Sequence, residues 1–375
     1  MTPRKGYLQG THRAVAPEAT LAALLPLGSE FGITRLADVT GVDRLGIPVY
    51  AAIRPRGRAL QVSNGKGLRP VDAKVAALMA AIELSHAEAP RVFLRHASLE
   101  ALASRKEAAL APGDVDTDIL LPWIRGERLG AGEPIWIPGA ACAFFLEPEH
   151  LKPTKNGLAS GNTLTEATLH GLYEVIERDA LGRLEEGDGQ LNFTTVDSLP
   201  LDAGLPDLLG PLVDRCASAG LELRLLHVGD QRPLHTFMAV LLDPHATGAS
   251  PSVNLGYGTH LSPAIAACRA ITGAARARLV AAHTDPDEPA SLPPAEGEGR
   301  RRLYRFFADF EPDATWDPIE DAACDTLEED LAKVLGYLEA AGLWPVYRAV
   351  LSDEGAPFVV AKTIVSGSRT STLRG

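Results

Sequence analysis

Residues 157–186 read GLASGNTLTEATLHGLYEVIERDALGRLEE. A glycine-punctuated segment, Gly157 to Asn162, runs into a proline-free stretch. There Leu164, Leu172, Val175, Ile176, Leu181 and Leu184 recur at helical spacing. Thr163 is suited to the N-cap. The pattern predicts a loop followed by a long helix. The acids set this helix apart. Glu166, His170, Glu174 and Glu177 are spaced by four, four and three residues, which keeps their side chains on one face. The three glutamates fall within about 80° of rotation, at about 100° per residue. Carboxylates aligned in this way repel one another unless cations lie between them, and Arg178 supplies a charge beside the stripe. Hard cations such as Mg²⁺ take oxygen ligands and work with substrate phosphates. A metal–nucleotide site fits this pattern. A plainer reading fits too: Thr163-Leu-Thr-Glu166 as a capping box, with Glu174 and Arg178 paired across one turn of a solvated face.

Working outward, the chain has 375 residues, enough for one large domain or two to three smaller ones at about 150 residues each. Its 46% hydrophobic and 22% charged residues match a soluble globular protein. No run of about 18 apolar residues marks a membrane span. The opening MTPRKGYLQGTHR lacks the apolar centre of a signal peptide, so a cytoplasmic location is expected. Cys142, Cys216, Cys268 and Cys324 are too scattered for a disulfide framework or a zinc motif, and Cys268 reads as a helix core position. Residues 1–70 carry ten Lys/Arg and four acids, a net of +6 in a chain of net −12. A basic first fifth against an acidic remainder suits polyphosphate and divalent metal held together. Dispersed basic residues without a helix-turn-helix or RNA-binding signature argue against nucleic acid.

Two further segments repeat the loop-then-helix pattern. Strands are expected over residues 33–63, ending at Ser63. The loop Asn64-Gly-Lys66-Gly then leads into a helix from Asp72 to about Glu88 that carries Glu83. Alone, GKG is a turn with an exposed lysine and lacks the spacing of a P-loop. Before a helix N-terminus it has the makings of an anion-binding turn. Asn254–His260 is another glycine-rich turn, ahead of a helix over 263–283 that carries Arg269. Lys5, Thr11, His12 and Arg13 cluster among glycines, as a polar arm or a phosphate-contacting segment. LELRLLHVG, HTFMAVLLD, WPVYRAVL and PFVVAKTIV read as strands, and residues 326–342 as a helix. Residues 284–302 are Pro/Glu/Gly-rich and read as a mobile loop, and 366–375 as a frayed tail.

Together these segments resemble the YcaO superfamily, ATP-dependent enzymes that activate peptide backbone amides. GNTLTEATLHGLYEVIERDAL is similar to its central signature. GTHRAVAPEAT, GITRLADVTGVDRLGIPVY and SNGKG with the Ala-rich helix resemble its N-terminal part. GTHLSPAIAACRAITGAARARL resembles its third helical motif. The combination is specific and covers nearly the whole chain. The resemblance implies one YcaO domain over 1–375, an α+β fold of antiparallel sheets packed with long helices, in which three loop–helix units converge on one site. It implies ATP and Mg²⁺ as cofactors, with Glu83, Glu166, Glu174 and Glu177 at the metal. Lys5, Arg13, Ser63, Lys66, Asn162, Arg178 and Arg269 are implied at the nucleotide. His170 is expected to pack or orient, not to act as a base.

The reaction implied is addition of a nucleophile to an amide carbon of a ribosomally made peptide, phosphorylation of the amide oxygen, and loss of phosphate. The GTHR and GITR forms resemble the branch that forms thioamides with a TfuA-type partner, and a homodimer is implied. The sequence departs from the family's pattern at Ala80 and Gly273, where acids are usual, and at Arg276, where glutamine is usual. It also lacks the proline-rich terminus of azoline-forming members, which favours thioamide formation. The alternatives are a nucleotide- or peptide-binding scaffold and an accessory factor in ribosomal protein modification.

Overall fold

The computed structural model describes residues 3–111, 116–146, 154–184, 192–228, 233–246, 253–281, 298–317 and 319–369. Most of the loop expected over 284–302, and the tail beyond 369, lie outside these residues. Glu298–Ala308 is helical.

Among the described residues, thirteen strands form three sheets, antiparallel throughout. The first sheet is β1 (Arg35–Asp38), β2 (Val49–Ile53) and β3 (Val62–Lys66), in that order. The second gathers β4 (Leu94–Ala97), β5 (Leu121–Arg128), β6 (Glu133–Pro138) and β7 (Leu158–Gly161) with the late strands β12 (Val346–Val350) and β13 (Val359–Val365). Its order is β4-β5-β12-β13-β7, and β6 also pairs with β5. The third comprises β8 (Val196–Leu199), β9 (Glu222–Val228), β10 (His235–Leu242) and β11 (Val253–His260), ordered β11-β10-β9-β8. The helices are α1 (Pro17–Leu24), α2 (Pro70–Glu88), α3 (Leu99–Ser104), α4 (Gly139–Cys142), α5 (Leu164–Leu184), α6 (Gly210–Ser218), α7 (Pro263–Ala281), α8 (Glu298–Ala308) and α9 (Leu327–Ala340). None is long and apolar enough to cross a membrane.

Strand alternation builds the core of the third sheet. On β10, Phe237, Ala239 and Leu241 turn towards α7, where they meet Ala266, Ala270 and Ala274. Met238, Val240 and Leu242 turn the other way, onto Phe307 of α8 and Leu181 of α5. A strand covered on both faces reads as a continuous apolar run, and HTFMAVLL does.

The three glycine-rich segments expected as loops are strands: β3, β7 and β11. Their glycines are needed for a different reason. A Cβ on Gly65 would lie 2.0 Å from the Ala77 nitrogen, on Gly161 2.5 Å from the Ala167 nitrogen, and on Gly256 2.0 Å from the Ala274 nitrogen. The helix that follows each strand packs directly on the strand backbone, and only glycine opposite small helix residues permits that. The sequence signal is the same for a turn and for a strand pressed by a helix. The tertiary contact decides between them.

Each of these helices packs on its own strand and on one from another unit. α2 touches β3 and β7, α5 touches β7 and β11, and α7 touches β11 and β3. The three strand–helix units therefore close into a ring. Thr163 helps to start α5, its hydroxyl accepting from the Glu166 nitrogen at 3.2 Å. The return half of the expected capping box is missing, because the Glu166 carboxylate is engaged elsewhere. α2 begins two residues before the expected Asp72. Pro70 occupies the first turn, where its missing N–H costs nothing, and the Asp72 carboxylate accepts from the Arg69 nitrogen at 3.1 Å.

Candidate functional site

The ring encloses a cavity of about 550 Å³, within the size range of ligand pockets. Side chains from α2, α5 and α7 line it. β3 contributes Asn64 and Lys66, and the segment before β7 contributes Lys155. Six cations face it: Arg13, Lys66, Lys155, Arg178, Arg269 and Arg276. Four acids do so: Asp72, Glu83, Glu174 and Glu177. Met79, Leu158, Leu181 and Leu255 add apolar lining.

The cations are held against one another. The Lys66 ammonium donates to the Arg269 carbonyl at 2.6 Å. Burial, with the neighbouring Arg276 and Arg269 charges, pushes its pKa well below the usual lysine value. Burial likewise lowers Arg276, partly offset by Glu177 and Glu174. Positive charges crowded in a dry wall favour an anion, whose attraction to each of them offsets their desolvation and mutual repulsion. Five glycines also bring the backbone close to the cavity: Gly10, Gly65, Gly67, Gly256 and Gly273 all line it.

The acids meet from two helices. Glu83 on α2 accepts from the Ser160 hydroxyl at 2.5 Å, and burial raises its pKa to about 7. On α5, Glu174 accepts from Arg178 at 3.0 Å, the ion pair expected on the plainer reading, but here within the cavity wall. Burial raises the Glu177 pKa, while Arg269 and Lys66 oppose the shift. Among the described residues, no three of His, Cys, Asp and Glu converge closely enough to hold a metal on their own. Glu83, Glu174 and Glu177 line the same cavity, and a divalent cation among them would need its remaining ligands from phosphate. They do not form a resident metal cage.

Four expected residues stand apart from this arrangement. Lys5 does not reach the cavity. Its ammonium is buried against Asp330 at 2.6 Å, the Cys324 carbonyl at 2.6 Å and His12 at 2.8 Å, because an ammonium out of water requires an anion beside it. Ser63 does not line the cavity; it is buried on β3, and its hydroxyl has no partner among the described residues. Glu166 is 1% exposed and accepts from the Ala14 nitrogen at 2.8 Å and from the Asn162 amide at 3.0 Å. Arg13 lies 3.6 Å from it and does line the cavity. Asn162 also accepts from Thr20 at 2.7 Å. Glu166 and Asn162 therefore hold Arg13 and the N-terminal segment in place, behind the cavity wall. His170 orients as expected: one ring nitrogen lies 3.0 Å from the Ser160 carbonyl, and burial lowers its pKa to about 4, keeping it neutral.

Sequence reading missed Lys155 and did not credit Arg276. A lysine two residues before the Gly157 turn was the available signal for the first. For the second it was spacing, since Arg269, Gly273 and Arg276 share one face of α7.

Comparison with other proteins agrees with this geometry. An uncharacterised protein of Methanothermobacter thermautotrophicus is 32% identical over 370 residues, 95% of this chain and 94% of that one. In Rhizobium leguminosarum bv. trifolii, an uncharacterised protein in the tfuA 3′ region is 29% identical over 95% of this chain and 88% of its own. The structure of YcaO from Methanopyrus kandleri bound with AMPPCP and Mg²⁺ superposes with a TM-score of 0.77, covering 98% of this chain and 94% of that one, at 23% identity. Residues 64–369 match the family described as YcaO cyclodehydratase, ATP- and Mg²⁺-binding, and the chain belongs to that family.

Proposed function

We propose that this chain uses ATP to activate a backbone amide of a ribosomally made peptide, with a thioamide as product, in concert with a TfuA-type partner. The observation that carries the nucleotide part is the ring of three strand–helix units, which brings six cations and Glu83, Glu174 and Glu177 around one cavity. An amide oxygen is a poor leaving group and a phosphorylated one is a good one. What the protein supplies is positioning and neutralisation of charge. Lys66, Arg269 and Arg13 would hold phosphate oxygens, and the three glutamates would share a Mg²⁺ with them. In the step as a whole, sulfide adds to the amide carbon and the oxygen takes the γ-phosphoryl group. Loss of inorganic phosphate then leaves sulfur where oxygen was, with ADP as the other product. The relative in the tfuA 3′ region supports the choice of sulfur chemistry and partner.

The test is incubation of the purified chain with ATP, Mg²⁺, sulfide, the cognate peptide and a TfuA-type protein. The expected result is the mass gain of sulfur replacing oxygen, dependent on ATP. An unchanged peptide, while the chain still binds AMPPCP, would sink catalysis and leave the second reading, a nucleotide-binding scaffold. Ala80 and Gly273 motivate that second reading, since both line the cavity without an acid.

A further inference from the structure

Three positions on the cavity-facing side of α7 lie one turn apart: Arg269, Gly273 and Arg276. A Cβ on Gly273 would lie 2.6 Å from the Lys66 ammonium nitrogen and 3.3 Å from the Gly256 Cα. The space of a side chain at 273 is therefore taken by a cation reaching across from β3. One turn on, Arg276 lines the cavity beside Glu174 and Glu177, yet makes no hydrogen bond or ion pair with the described residues. Its guanidinium stays available to something in the cavity. On α2, Ala80 faces the same space with no charge at all.

These three positions act in one direction: Ala80 and Gly273 offer no carboxylate to a metal, and Arg276 adds positive charge. Arg178 is already paired with Glu174, and Asp72 with Arg69. Lys66, Lys155, Arg269 and Arg276 are left facing Glu83 and Glu177, so basic side chains outnumber acids. Divalent cations serve a polyphosphate site by neutralising oxygens. A guanidinium that donates to two oxygens at once does the same without dissociating.

We infer that Arg276 binds the polyphosphate directly and, with Lys66 seated against Gly273, makes nucleotide binding by this chain only weakly dependent on Mg²⁺. The inference rests on the cavity being the nucleotide site, and the experiment separates the two claims. AMPPCP binding would be measured by calorimetry on the full chain, once with Mg²⁺ and once with EDTA. For the unaltered chain, removal of Mg²⁺ should weaken binding by less than about tenfold. In Arg276→Gln, the EDTA arm should weaken by a further ten- to about hundredfold, the effect of one lost charged hydrogen bond, and the Mg²⁺ arm by clearly less. Arg276→Lys should keep most of the Mg²⁺-free affinity. Ala80→Glu, which adds an acid without removing a cation, should shift binding towards Mg²⁺ and does not depend on the folding of the arginine variants. Binding seen only with Mg²⁺ in the unaltered chain would overturn the role of Arg276 and leave the nucleotide site standing. Equal losses in both arms for Arg276→Gln would likewise overturn it. No binding in either arm would remove the nucleotide site itself, and the inference with it.

Discussion

At the scale of single residues, the carboxylates that share a stripe in sequence have different tasks. Glu166 is 1% exposed and saturated by Ala14, Asn162 and Arg13. Removing it leaves a guanidinium and two donors unpaired in the interior. Glu166→Ala should therefore cost about 3 kcal/mol of stability, read by chemical denaturation. Glu174→Ala, which breaks only a half-exposed pair, should cost less than about 1 kcal/mol. Equal costs would mean that Glu166 does not hold the N-terminal segment. Glu83 makes a prediction about pH. Burial raises its pKa to about 7, above that of the unfolded chain. The native state therefore binds a proton that the unfolded state has lost between about pH 4.5 and 7. The penalty of the buried charge is absent below that window, grows through it and is complete above pH 7. Glu83→Gln should thus stabilise the ligand-free chain by up to about 3 kcal/mol at pH 8, the worth of a shift of this size in pKa. The gain should vanish at pH 4.5. A gain that is constant with pH would show that the carboxyl does not titrate in this way.

At the scale of elements, the apolar periodicity of α2, α5, α7 and α9 was legible because amphipathic or buried helices of this length declare themselves. So were β10, as a nearly continuous apolar run, and β12 and β13, as β-branched runs carrying Arg348 and Lys362. The strands β3, β7 and β11 were not. Their glycines look like turn residues, and only the helix lying on each backbone shows that they are packing residues. The site was legible in the same uneven way. Lys66, Glu83, Glu174, Glu177, Arg178 and Arg269 stand on elements whose faces could be read, and all line the cavity. Lys5 and Ser63 do not reach it, because the path of the N-terminal arm and the facing of β3 depend on partners distant in the chain, such as Asp330. The packing role of the glycines has a direct test. Gly256→Ala forces a methyl to within 2.0 Å of the α7 backbone, and backbone cannot step aside as a flexible side chain does. It should cost about 3 kcal/mol or more, at the upper end for overpacking. Gly210→Ala, at the first residue of α6 with open space around it, should be neutral or slightly stabilising by thermal denaturation. If both were tolerated alike, α7 would not be seated on the β11 backbone.

At the scale of the molecule, the ring of units makes a ligand in the cavity a structural tie. Lys66 belongs to β3, Glu83 to α2, Glu174 and Glu177 to α5, and Arg269 and Arg276 to α7, so one polyphosphate with its Mg²⁺ would engage all three units. In the ligand-free wall, burial first and then the Arg276 and Arg269 charges disfavour the charged form of Lys66. A bound anion would add attraction to the basic side chains of β3 and of α7 at once. Ligand that binds only the native state stabilises it by about 2.7 kcal/mol at a hundredfold excess over its dissociation constant. Because the units contact one another in a closed cycle, this stabilisation should be shared instead of confined to one helix. The expected outcome is that AMPPCP slows amide hydrogen exchange together in β3–α2, β7–α5 and β11–α7, by similar factors. Strands β4 to β6, in the part of the second sheet away from β7, should change little. Slowing in one unit alone would show that the nucleotide contacts a single wall, and the ring would then be a packing arrangement with no role in gripping the ligand.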